Sequence, residues 1–135
     1  MNIHAVIETA IYVNDLDAAE DFYGRVLGLR VIGKEAGRHV FFQVGEGQVL
    51  LVFLAEATLK GDPLPPHGTT GPGHVALGIE AEAFDAWRKL LQGHGVAVEK
   101  EVEWPRGGKS LYFRDPAGNS LELVTPGVWG LPCGW

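Results

Sequence analysis

The run Ser120-Leu121-Glu122-Leu123-Val124 carries a single carboxylate in the middle of an apolar, strand-like stretch. A carboxylate buried among such neighbours is costly unless a cation or several donors meet it. Two other polar residues stand in comparable settings. Glu8 alternates with Ala10 and Tyr12 on one face of residues 7–13, and His74 opens a similar alternating run at 74–79. Matching Ile7-Glu8-Thr9-Ala10-Ile11 to Gly73-His74-Val75-Ala76-Leu77 puts Glu8 opposite His74. Matching the last two hairpins by Gly47 and Gly118 puts Leu51 opposite Glu122. Glu8, His74 and Glu122 are therefore expected on three equivalent strands, all aimed away from the helices. Such a set of oxygen and nitrogen donors in an apolar cup can hold one divalent metal ion, which would also relieve the repulsion between the carboxylates. The competing arrangement is a buried Glu–His pair with the other carboxylate near solvent.

The same alternation predicts His39, Phe41 and Gln43 on this face of the first half, and Ser110 and Tyr112 on that of the second. His39 and Glu122 are the candidates for acid–base chemistry, since an imidazole titrates near neutrality. A solvent-facing strand histidine is the alternative for His39. Phe41, Trp104 and Tyr112 can wall an apolar substrate pocket, while Arg106 and Lys109 can meet an anionic group. Core packing for the aromatic residues and solvated turns for the cations are the alternatives. A set of one histidine and two carboxylates suits manganese, magnesium or zinc at least as well as iron, and nickel also belongs among the candidates.

Positioning such residues requires particular elements, and the chain supplies them twice. After residues 7–13, Asn14-Asp15 offers helix-capping chemistry. Ala19, Phe22, Tyr23, Val26 and Leu27 then form one helical stripe that stops at Gly28. Strand-like runs follow at 30–34, 38–44 and 48–54. The second half repeats the order. A strand at 74–79 precedes a stripe of Ala83, Phe84, Trp87, Leu90 and Leu91, and then come strands at 96–102, 110–114 and 120–124. Each half reads β-α-β-β-β. The expected fold is α+β, with two βαβββ modules forming a cupped, partly closed mixed sheet and helices outside. One domain is expected over 1–135, with module one at about 4–58, a Pro- and Gly-rich connector at 59–72, module two at 73–127 and a tail at 128–135.

With 135 residues, 46% of them hydrophobic and 21% charged, the chain can bury one real core. A formal net charge of −6 argues against nucleic acid and against an anionic membrane surface. No apolar run has the length of a membrane span, and no signal peptide is recognisable. The single Cys133 cannot form an internal disulfide, which fits a cytoplasmic protein. Phosphate-loop, nucleophile-elbow and dinucleotide motifs are absent. Trp129 and Trp135 are expected to pack against the body or a partner subunit.

The stretches VNDLDAAEDFYGRVLGL (13–29), GPGHVALGI (71–79) and GGKSLYFRDPAGNSLELVTPG (107–127) resemble the vicinal oxygen chelate superfamily. That superfamily groups glyoxalase I, extradiol dioxygenases, and fosfomycin and bleomycin resistance proteins. The resemblance implies metal ligands at the first strand of each module and the last strand of one or both, here Glu8, His74 and Glu122. Glu8 departs from the His or Gln more common there, and Leu51 stands where glyoxalase I supplies a fourth ligand. The resemblance further implies a homodimer and a small oxygen-bearing substrate held by the metal through two oxygens. The chemistry would be stabilisation of an enolate or oxyanion, of isomerase, lyase or dioxygenase type. The alternative it carries is a metal-free sequestering protein of the bleomycin resistance type.

Overall fold

The computed structural model describes residues 1–61, 64–132 and 134–135. Cys133 and residues 62–63 of the connector lie outside the described residues. The chain divides into two compact units, Met1–Gly73 and His74–Trp135.

The first unit is a four-stranded mixed sheet with one helical segment. Its strands are β1 (Glu8–Val13), β2 (Arg30–Glu35), β3 (His39–Val44) and β4 (Gln48–Leu54), in the order β1-β4-β3-β2. β1 runs parallel to β4, and the other pairs are antiparallel. Asp15 caps α1 (Leu16–Glu20) by accepting the Ala18 N–H at 2.9 Å. The chain then widens into a π-helical turn over Asp21–Val26. The stripe of Ala19, Phe22, Tyr23, Val26 and Leu27 is buried, as its spacing predicts. It meets Val40, Phe42, Leu50 and Val52, which alternate onto the same side of β3 and β4 and are all but fully buried. Gly28 ends the segment at φ 73°, a conformation that suits glycine. A short helix, α2 (Ala55–Thr58), follows β4.

The second unit repeats this plan with β5 (His74–Gly78), β6 (Lys100–Glu103), β7 (Lys109–Arg114) and β8 (Ser120–Val124), in the order β5-β8-β7-β6. A 3-10 turn (Ala81–Ala83) leads into α3 (Phe84–Gly93), which buries Phe84 and Leu91. Leu111, Phe113, Leu121 and Leu123 are 0–2% exposed and form the core face of this sheet. Burying each such side chain contributes about 1.5–3 kcal/mol. β6 is shorter than the sequence predicts and begins at Lys100, because the Val96 N–H is taken by the Leu91 carbonyl at the end of α3, 2.9 Å away.

The two registers coincide. Ala10, Leu51 and Phe41 are neighbours across β1, β4 and β3. Ala76, Glu122 and Tyr112 are neighbours across β5, β8 and β7. Leu51 thus matches Glu122, and Phe41 matches Tyr112, as glycine matching of the hairpins predicts. Among the described residues, no helix is long and apolar enough to cross a membrane.

Candidate functional site

Asp115-Pro116-Ala117-Gly118-Asn119 sets the register of the hairpin that carries Glu122. Asp115 Oδ1 accepts the backbone N–H of Ala117 at 3.0 Å and of Asn119 at 2.8 Å, and its Oδ2 accepts the Asn119 side-chain amide at 2.9 Å. Gly118 supplies the left-handed corner at φ 88°. Locked in this way, the turn pairs Tyr112 with Glu122 on the face that α3 leaves uncovered. A shift of one residue would throw Glu122 onto the apolar side.

Glu122 is only 8% exposed, so its oxygens need partners. Oε1 accepts from the Ser110 hydroxyl at 2.5 Å, and Ser110 Oγ accepts from the Trp104 indole N–H at 2.8 Å. Oε2 lies 3.4 Å from His74 Nε2. The other imidazole nitrogen, Nδ1, is 3.0 Å from the Ser120 carbonyl oxygen. A carbonyl can only accept, so Nδ1 carries a hydrogen, and Nε2 is the nitrogen turned toward Glu122. Imidazole nitrogen and carboxylate oxygen therefore face each other, placed to share a cation or a proton. Such a back-side hydrogen bond is also the usual device that orients a metal-binding histidine. The ring of His74 stacks over Tyr112 at 6.4 Å between centroids. Burial pushes the Tyr112 phenol above its ordinary range, and the Glu122 carboxylate adds to the rise, while Ser110 opposes it. Tyr112 thus keeps its proton and remains a donor on this face.

The second unit brings together His74, Glu122, Tyr112 and Trp104 of the expected site residues. Ser110 joins them as the link between Trp104 and Glu122, a role that strand alternation alone does not reveal. Arg106 is engaged elsewhere and donates to the Trp129 carbonyl at 3.2 Å. Lys109 lies on the other face of its strand. It alternates with Leu111 and Phe113, pairs with Glu103 at 2.8 Å and reaches over the Phe84 ring, on the side opposite Glu122. The alternation used to place Tyr112 also carries that signal.

Glu8 is exposed at the start of β1 in the first unit, the strand position that His74 occupies in β5. The open face of this unit holds an aromatic cluster. His39 stacks on Phe41 at 3.9 Å with 8° between planes, and Phe53 meets both rings edge-on. His39 is therefore half-buried, not solvent-facing. Its Nδ1 makes no hydrogen bond and lies 3.7 Å from Glu35, and burial lowers its pKa despite that carboxylate. His67, a connector residue given no role from sequence, accepts or donates at 2.7 Å to the Tyr12 hydroxyl. Within either unit, no three described His, Cys, Asp or Glu side chains gather as a metal-binding group.

Residues 4–123 match the model of the Glyoxalase/Bleomycin resistance protein/Dioxygenase superfamily. The chain belongs to that superfamily. A solved structure named lactoylglutathione lyase, from Agrobacterium tumefaciens, is 38% identical and superposes with a TM-score of 0.91, covering 97% of this chain and 100% of that one. Metallothiol transferase FosB of Bacillus licheniformis is 30% identical over 118 residues, 87% of this chain and 72% of the relative. Lactoylglutathione lyase of Escherichia coli O157:H7 is 27% identical over 124 residues, 88% of this chain and 90% of the relative. Two four-stranded mixed sheets flanked by helices are the fold that this superfamily member shares with its structural relative.

Proposed function

We propose that this chain is a divalent-metal enzyme of lyase or isomerase type, acting on a small oxygen-bearing substrate. One observation carries the reading: His74 Nε2 and a Glu122 carboxylate oxygen face each other at 3.4 Å on the sheet face that α3 leaves uncovered. That donor set fits a divalent cation. Glu8 is the third ligand of this reading, assigned by its place at the start of β1, which matches that of His74 in β5. When bound, the metal would supply a Lewis acid that polarises substrate oxygens and favours an enolate or oxyanion. With Leu51 at the position matching Glu122, the set is one histidine and two carboxylates, whose charge balances that of a divalent ion.

The protein's own groups frame the reaction. Glu122 Oε1 is held by Ser110, while Tyr112 keeps its phenolic proton and can donate to a substrate oxygen. Trp104 and Tyr112 provide apolar and aromatic surface beside the carboxylate. The lyase name of the relative at 38% identity supports this type over a dioxygenase. A homodimer and a cytoplasmic location belong to the same reading.

Elemental analysis of tag-free protein, repeated after chelation and reconstitution, tests the proposal. About one divalent ion per site is expected, with Glu122→Ala and His74→Ala each losing it while circular dichroism stays unchanged. Full occupancy in Glu122→Ala would remove the site assignment, and wild-type protein that takes up no divalent ion on reconstitution would favour a metal-free binding protein. The activity screen should include small diketones and thiol adducts.

A further inference from the structure

We propose that Trp104 and Ser110 are positioning residues for Glu122, fixing through one directed hydrogen-bond chain which carboxylate oxygen faces His74. The inference rests on the metal-site reading above and extends it to two residues that are not metal ligands in that reading. An indole N–H can only donate, so Ser110 Oγ must accept from Trp104, at 2.8 Å. A serine hydroxyl has one hydrogen, a carboxylate oxygen can only accept, and Glu122 Oε1 lies 2.5 Å away, closer than the indole nitrogen. The chain therefore has a single direction, from indole to hydroxyl to carboxylate. Oε1 is committed to it, and Oε2 is left for the position beside His74 Nε2.

The chain's origin is also held in place. Trp104 begins a turn in which its carbonyl accepts the Gly107 N–H at 2.9 Å and its N–H donates to the Gly108 carbonyl at 3.1 Å. Gly107 and Gly108 take φ of 113° and 77°. A Cβ on Gly108 would lie 2.7 Å from the Pro126 carbonyl oxygen, so the turn is wedged against the segment after β8. Ser110 is fully buried, pairs across the ladder with Val124, and stands two residues from Tyr112 on the same face. The partners of its hydroxyl are Trp104, Glu122 and the neighbouring Tyr112. An alanine of nearly the same volume would pack there equally well, and the choice of serine is explained by the carboxylate it holds.

Co2+ is the probe, with affinity measured by competition against a chromophoric chelator and geometry read from its visible d–d absorption. Ser110→Ala is expected to weaken Co2+ binding about 10–100-fold and to alter that spectrum, since loss of an outer partner misplaces the ligand. Trp104→Phe keeps the ring and loses the N–H, and about a fivefold weakening is expected. Ser110→Thr retains the hydroxyl and should restore both affinity and spectrum. A merely structural role predicts lower thermal stability in Ser110→Ala and Trp104→Phe with wild-type Co2+ affinity and spectrum, and that result would overturn the inference. Glu122→Ala serves as the control. If it too binds Co2+ normally, the site itself is wrong; if it is dead while the other two bind like wild type, only the positioning role is lost.

Discussion

The two sheets share strand order and register yet carry opposite chemistry on their open faces. Where the first unit has Leu51 between Ala10 and Phe41, the second has Glu122 between Ala76 and Tyr112. Two residues along each strand, Tyr12, Phe53 and His39 correspond to Gly78, Val124 and Ser110. In the first unit these side chains close into stacked and edge-on rings. In the second, the Ser110 hydroxyl holds a carboxylate and is itself held by the Trp104 indole N–H. The backbone is indifferent to the choice. A buried glutamate is tolerated on one sheet because donors stand on the adjacent strand, and the same backbone without them takes a leucine.

Moving the carboxylate to the other sheet tests this most severely. Leu51→Glu should destabilise the protein by about 1–3 kcal/mol, because Phe41 has no donor and the His39 ring is held stacked on Phe41. Adding Phe41→Tyr and His39→Ser should return about 0.5–1.5 kcal/mol for each hydrogen bond restored. Denaturant unfolding of the single, double and triple variants measures the coupling. A Leu51→Glu protein as stable as wild type would show that the donors on the neighbouring strand are not what makes Glu122 tolerable.

Much of this contrast was legible before any coordinates. Period-two alternation placed Glu8, His74, Tyr112 and Glu122 on the open faces, because a strand's side-chain direction is fixed by its parity. The buried stripe of the first helical segment followed from its spacing for the same kind of reason. What escaped depends on events that spacing does not encode. The π-helical turn over Asp21–Val26 keeps the stripe intact, so the pattern of apolar residues does not register it. Four residues of α2 are too few to show a period. The link from Trp104 to Ser110 forms across a glycine turn, whose outcome no local pattern predicts. Lys109 is a different case: its parity with Leu111 and Phe113 places it on the helix side, where it meets Glu103 and the Phe84 ring.

The position shared by Tyr12 and Gly78 offers a sharper comparison. In the first unit Tyr12 fills its place with its own ring, stacked near Phe53 and bonded to His67. In the second, Gly78 has no side chain, and Trp135 from the tail lays its indole there. A Cβ on Gly78 would lie 2.1 Å from Trp135 Cη2. This meets the expectation that Trp135 packs on the body, whereas Trp129 is 69% exposed. Gly78→Ala should displace the indole, costing about 1–3 kcal/mol and shifting tryptophan emission to the red. In a Trp135→Ala background the same change should cost little. Equal effects in both backgrounds would mean that the tail does not occupy the place that Tyr12 fills in the first sheet.

The smallest effect separates His39 from its counterpart Ser110. Burial holds the His39 pKa below the ordinary value of 6.5, with Glu35 opposing and Arg38 assisting. The unfolded chain therefore binds this proton more readily than the folded one. Stability from keeping His39 neutral is fully present above about pH 6.5 and is lost as pH falls from there toward the depressed folded value. His39→Phe retains a ring to stack on Phe41 and removes the titration, so its stability should fall less between about pH 7 and pH 5 than that of wild type. Glu35→Gln should steepen the wild-type loss, since it deletes the one carboxylate that favours the charged ring. Parallel pH profiles for wild type and His39→Phe would show that this imidazole is as easily protonated folded as unfolded. The first sheet's open face would then be wetter than its stacked rings imply, and its contrast with the donor-lined face of the second would narrow.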